Sequence, residues 1–130
     1  MTHCISKSLL AALSLPLFLG ACGDGRDQLA QDARTLSRYY ADHPSDRGWK
    51  VLAITMDPNE AKLVVQVLVS SESDVDRIKS LSRMEQFSAA KYACPKMTGD
   101  LRAVLDKNTR IWIRLQTAKK ELTRSICPGT

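Results

Sequence analysis

Apolar residues recur at Leu29, Ala33, Leu36 and Tyr40 with charged residues between them, a spacing that predicts an amphipathic helix over Asp27 to Asp42. His43 precedes Pro44, and the residue before a proline is biased out of the helical region, so the helix ends there. Asp27 and Asp32 fall towards its N-terminus, where the helix dipole favours acidic groups. After a turn at Ser45 to Gly48 the period shortens. Trp49 to Met56 and Ala61 to Ser70 are β-rich runs separated by Asp57-Pro58-Asn59-Glu60, whose proline follows the aspartate as in a type I turn, so the two runs form a hairpin. The first run puts Leu52, Ile54 and Met56 on one face. The second puts Leu63, Val65, Val67 and Val69 on one face and Val64 and Leu68 on the other, as expected of a central strand.

Ser73-Asp74-Val75-Asp76 matches a capping box and opens a second helix that ends at Cys94-Pro95. Its apolar side carries Val75, Ile78, Leu81, Ala89, Tyr92 and Ala93, with Arg77, Lys79, Arg83 and Lys91 elsewhere, which predicts packing on the sheet. Glu85 falls inside the apolar arc, as a boundary residue reaching water or an arginine, while Met84 and Phe87 fall outside it. Thr98 to Lys107 is a short helix, with Met97, Leu101 and Leu105 at fourfold spacing. Arg110 to Thr117 alternates cleanly, Ile111, Ile113 and Leu115 facing one way and Arg110, Trp112, Arg114 and Gln116 the other, the mark of a half-exposed strand. Ala118 to Lys120 makes a turn, and Glu121 to Cys127 returns as a strand or a last helical turn. The fold class that results is α+β: a small antiparallel sheet of two hairpins packed by two helices, in the order helix, strand, strand, helix, short helix, strand, strand.

Upstream of all this, Leu9 to Leu19 is an apolar run broken only by Ser14 and Pro16, with His3 and Lys7 before it and small residues after it, the three-part layout of a secretory signal. A membrane-spanning helix needs about 20 apolar residues, roughly twice this run. The run closes on Leu19-Gly20-Ala21-Cys22, which resembles the lipobox of bacterial lipoproteins. The resemblance implies that residues 1–21 are removed as a signal peptide and that Cys22 becomes the mature N-terminus, carrying acyl chains on its sulfur and amine. Gly20 and Ala21 suit a protease that needs small side chains at the scissile bond, and Leu19 fills an apolar subsite. Several acyl chains anchor firmly, since each buried methylene contributes about 0.8 kcal/mol. The resemblance places the protein in the bacterial cell envelope, facing the periplasm; Gly23, where an aspartate would favour inner-membrane retention, favours the outer membrane. The alternative is a soluble secreted protein in which Cys22 is incidental. Residues 22–26 read as a lipidated tether and 27–130 as a single domain.

Removing the leader leaves 109 residues, enough for one modest core. Cys94 and Cys127 then remain in an oxidising compartment and have only each other to pair with. A redox-active pair would want a short Cys-x-x-Cys spacing, so a structural disulfide is expected. Charge is uneven along the chain. Residues 22–76 hold six Lys or Arg against ten Asp or Glu, whereas residues 77–130 hold twelve against four. Such a basic half could face anionic lipid headgroups or an acidic partner. Nucleic acid is not an expected partner, because no recognised binding motif is present.

Trp112 between Arg110 and Arg114 on one strand face is the candidate recognition patch, since aromatic and guanidinium groups dominate binding surfaces. The bland account is cross-strand packing with an arginine stacked on Trp112. His43 near Asp42 and Asp46 has the residue types of a metal site, but a loop histidine beside a proline is ordinarily solvated, and no metal or cofactor other than the lipid on Cys22 is expected. No His-Glu-x-x-His, Gly-x-Ser-x-Gly or Gly-rich loop before a helix occurs, which argues against an enzyme. The element order from Leu29 to Gln116 is similar to that of the lipid-associated BON domains of bacterial envelope proteins, although the glycines typical of their hairpin and last strand are absent. The expected function is a non-catalytic binding or accessory module for an envelope assembly. The alternative is a carrier of an anionic amphiphile held between helix and sheet, with Arg110, Arg114 or Lys119 at the headgroup; a hydrolytic enzyme is more distant.

Overall fold

The computed structural model describes residues 25–130 except Asp46, so the lipobox, Cys22 and the leader lie outside the described residues. Helix α1 (Gly25–Asp42) begins two residues before the expected start, taking in Gly25 and Arg26, which the sequence reading assigned to the tether. The hairpin follows as β1 (Lys50–Asp57) and β2 (Lys62–Leu68), then α2 (Glu72–Ser80), α3 (Arg83–Lys91), α4 (Gly99–Val104), β3 (Arg110–Gln116) and β4 (Glu121–Ile126). The last segment is therefore a strand. Among the described residues, no helix is long and apolar enough to cross a membrane.

The four strands stand in the order β1-β2-β3-β4. Both hairpins are antiparallel, but β2 and β3 run parallel, with Lys62 opposite Arg110 and Leu68 opposite Gln116. This corrects the antiparallel sheet expected from sequence. Parallel neighbours need a long crossover, and the chain from Ser70 to Thr109, holding α2 to α4, supplies it. Both strands start at the same end of the sheet because the backbone N–H of Arg110 donates to the Ala61 carbonyl at 2.9 Å. Asp32 of α1 holds that end in place. Its buried carboxylate accepts from the Thr109 hydroxyl at 2.6 Å, from the Asp106 backbone N–H at 3.3 Å and from Gln28 Nε2 at 3.0 Å.

The second helix is two helices, not one. Ser71, rather than Ser73, caps α2, its hydroxyl accepting from Asp74 N–H at 3.4 Å. The chain then breaks at Leu81, and Ser82 opens α3 with a reciprocal capping box: Glu85 N–H donates to the Ser82 hydroxyl, and Ser82 N–H to the Glu85 carboxylate at 2.8 Å. That bond holds the exposed Glu85 carboxyl below the usual glutamate range. Glu85 thus interrupts the apolar arc because it terminates an element. Tyr92, assigned to the packed side, is 70% exposed, since the helix ends just before it.

One core forms between the helices and one sheet face. Leu63, Val65, Val67, Ile111, Ile113 and Leu115 are buried together with Leu29 and Leu36 of α1, Ile78 of α2, Ala90 of α3 and Leu101 of α4. In β1 the register shifts between Val51 and Ala53, so Val51 joins Ile54 against the core and Leu52 is left exposed, contrary to the simple alternation expected there. The β1–β2 turn closes as a type I turn should, Glu60 N–H donating to Asp57 O at 3.3 Å and Asn59 N–H to Asp57 Oδ1 at 3.1 Å. It is followed by Ala61 at φ 49°, a left-handed position that disfavours a side chain. Cys94 and Cys127 are disulfide-bonded with their Cα atoms 5.6 Å apart, tying the end of α3 to the end of β4.

Candidate functional site on the open sheet face

Every second strand residue points away from the helices, and the register arranges these side chains in rows. The central row runs Thr55, Val64, Trp112, Ile126 across all four strands. Val64, Trp112 and Ile126 stand outside the buried core cluster, so the row is an apolar stripe on the face opposite the helices. On one side of it lie Asp57, Lys62 and Arg110; on the other lie Ala53, Gln66, Arg114 and Arg124, then Lys50, Leu68, Gln116 and Glu121. The strand positions of this face therefore carry five cationic side chains and two carboxylates.

The expected patch residues fall as follows. Arg110, Trp112 and Arg114 share this face, with Arg110 exposed and the other two partly buried. Lys119 is exposed in the turn between β3 and β4, where its backbone N–H donates to the Thr117 hydroxyl at 3.2 Å, beyond the end of the strand that carries Trp112. The cation over Trp112 is Lys62 from the neighbouring strand, 4.9 Å from the ring centroid, and not an arginine of the same strand. Arg114 turns towards β4, where its Nε lies 3.8 Å from Glu121 Oε2. Glu121 is already engaged by Arg124, which donates through Nε at 2.6 Å and Nη2 at 2.9 Å. These bonds, with the charges of both arginines, hold the Glu121 carboxyl below the usual glutamate range against partial burial. Because Arg124 occupies the carboxylate, Arg114 Nε is left at ion-pair distance without a hydrogen bond.

Chemically, the face offers an aromatic and aliphatic centre rimmed by cations. Sequence reasoning found the β3 contribution through its alternation; it missed Val64, Ile126, Lys62 and Arg124, whose only signal is register between separate strands. His43 is engaged locally: its Nδ1 lies 2.9 Å from the Tyr39 carbonyl and its ring stacks on Tyr39 at 4.3 Å. Asp46, named beside it as a possible ligand, lies outside the described residues. Among the described residues no group of three His, Cys, Asp or Glu stands close enough to hold a metal. No family model, curated protein or solved structure matches the chain.

Proposed function

We propose that this chain is a lipid-anchored envelope protein that binds a partner protein of the envelope through the open sheet face, without catalysis of its own. The observation that carries the reading is the Thr55, Val64, Trp112, Ile126 stripe, an apolar row between cationic rows. An interface of this kind buries an aromatic anchor at its centre and keeps charges at its rim, so the matching partner surface is apolar at its middle and acidic around it. The anchor is the acylated Cys22. Gly23 and Asp24 alone separate it from α1, and the three steps from Cys22 to Gly25 reach about 10 Å, so the domain stands close to the outer-membrane surface that holds it. The Cys94–Cys127 disulfide supports an oxidising compartment. The carrier alternative asks for a headgroup at Arg110, Arg114 or Lys119, yet Arg110 and Arg114 stand on the sheet face opposite the helices and Lys119 lies in the turn beyond β3.

Photo-crosslinking in intact envelopes tests the reading. A crosslinker replacing Thr55, on the stripe, should capture a discrete protein, whereas one replacing Ser88, exposed on α3, should not. Combining Arg110→Glu with Trp112→Ala should abolish the capture while circular dichroism stays unchanged. Equal capture by that folded double variant would remove the sheet face from consideration. Loss of fatty-acid labelling in Cys22→Ser tests the anchor separately.

A further inference from the structure

The helical side of the molecule carries a second candidate binding site. An open groove of about 1220 Å³ runs between the C-terminal part of α1, His43 to Ser45, Arg47 to Trp49, the start of β1 and the end of α3. It exceeds the roughly 300–1,000 Å³ of ordinary small-molecule sites, so a small ligand would fill only part of it. The lining includes Tyr39, Tyr40 and Tyr92, the cations Arg47 and Lys96, and no carboxylate among the described residues.

Arg47 is the organising group. Its guanidinium lies 4.4 Å from the Tyr92 ring centroid and 5.5 Å from that of Trp49, both within the roughly 6 Å range of cation–π attraction. Trp49 is itself fixed: it is buried, and its indole N–H donates to Asp74 Oδ2 at 3.2 Å. Gly48, in the left-handed region at φ 71°, closes the turn that sets Arg47 beside Trp49, with its N–H donating to Ser45 O at 3.1 Å. Among the described residues, no hydrogen bond or ion pair engages the guanidinium of Arg47. The two rings lie beside the guanidinium, and its N–H groups are the donor fork that binds carboxylate and phosphate in bidentate fashion. On the wall of the groove, the Tyr40 hydroxyl donates to the Ala93 carbonyl at 2.7 Å and the Tyr39 hydroxyl accepts from Lys96 N–H at 2.9 Å, bracing α1 against the end of α3.

We infer that this groove binds a small organic oxyanion, a carboxylate or phosphate monoester, with the charged group on the edge of Arg47 and an apolar stem along the tyrosines. This site is independent of the sheet face and of the lipid anchor. It also differs from the headgroup site expected from sequence, because Arg110 and Arg114 stand on the opposite face of the sheet and Lys119 in the turn beyond β3.

Calorimetric titration of the full chain in a neutral detergent tests it, using butyrate, butyl phosphate and uncharged butanol, each against detergent alone as the blank. Both anions should bind saturably and butanol should not. Tighter binding of butyl phosphate identifies a phosphate-bearing source such as a lipid headgroup; tighter binding of butyrate identifies a free organic acid. Arg47→Gln should weaken binding at least tenfold. Arg47→Lys, which keeps the charge and loses the fork, and Tyr92→Ala, which removes an exposed stacking partner, should each weaken it several-fold. Arg110→Gln on the opposite face should bind as the native chain does, which separates this site from the proposed partner surface. Both Arg47 and Tyr92 are exposed, so the variants should fold, as thermal melts would verify. Native affinity in Arg47→Gln, or no saturable anion binding by the native chain, would overturn the assignment.

Discussion

The two faces of the same four strands are built on opposite terms. On the inner face Leu63, Val65, Ile111, Ile113 and Leu115 are all fully buried, whereas the outer face sets Val64 and Trp112, partly exposed, among lysines and arginines. Adjacent residues of one strand thus serve different ends. An inner side chain contributes through area removed from water and close packing, an outer one through what it presents to another molecule. The contrast teaches that stability and recognition are separable here by substituting neighbours in the chain.

The largest effect should come from the tie that closes the helical side. Replacing Cys94 with alanine should lower stability by about 4 kcal/mol, the chain-entropy figure for a loop spanning 33 positions, as read by urea denaturation. A loss under 1 kcal/mol would mean that the helices hold their places without it. The faces themselves are compared most directly by Ile113→Ala against Trp112→Ala. The first should cost about 2–5 kcal/mol, because it leaves a cavity in the core. The second should cost clearly less in stability while removing partner capture, and equal losses would break the distinction between the faces.

Asp32→Ala should cost about 2–3 kcal/mol, because it strands the buried Thr109 hydroxyl and the part-buried Asp106 backbone N–H. Hydrogen exchange should show the loss concentrated at the start of β3, beside those groups. Uniform loss across the sheet would instead make Asp32 an ordinary core residue. The smallest effect, and a gain, is expected for Ala61→Gly. Relief of the left-handed strain, offset by the larger freedom of glycine in the unfolded chain, should leave the protein about 0.5–1 kcal/mol more stable. A loss there would show that the turn, and the register it fixes for both faces of β2, depends on the alanine side chain.

Much of this was written in local pattern. The alternation of Arg110 to Gln116 assigned each β3 side chain to its correct face, and the α1 periodicity found Leu29 and Leu36 in the core. The break between α2 and α3 has a local signal in Ser82-x-x-Glu85, which the sequence reading passed over by following the apolar spacing across it. The bulge at Leu52 was not: an extra residue in one strand has meaning only against its partner, and nothing in Lys50 to Asp57 marks it. The proposed groove was beyond reach for a similar reason, since Arg47 and Tyr92 lie far apart in the chain and their contact exists only after α3 is laid beside the loop.

By itself, then, the sequence determined that α1 is a helix, that β1, β2 and β3 are strands and which side of β3 seeks the core, because those choices follow from the 3.6- and 2-residue periods along each segment. The pairing of Cys94 with Cys127 was expected once Cys4 and Cys22 were assigned to the leader and the anchor, and the structure shows that disulfide. Only the tertiary structure decided that β2 and β3 run parallel, that Trp112 shares a row with Val64 and Ile126, and that Lys62 covers its ring. The physical reason is that strand pairing is non-local: the crossover through α2 to α4 is long enough to return the chain in either direction. The end at which it re-enters goes with contacts such as that of Asp32 with Thr109, made between residues 77 positions apart.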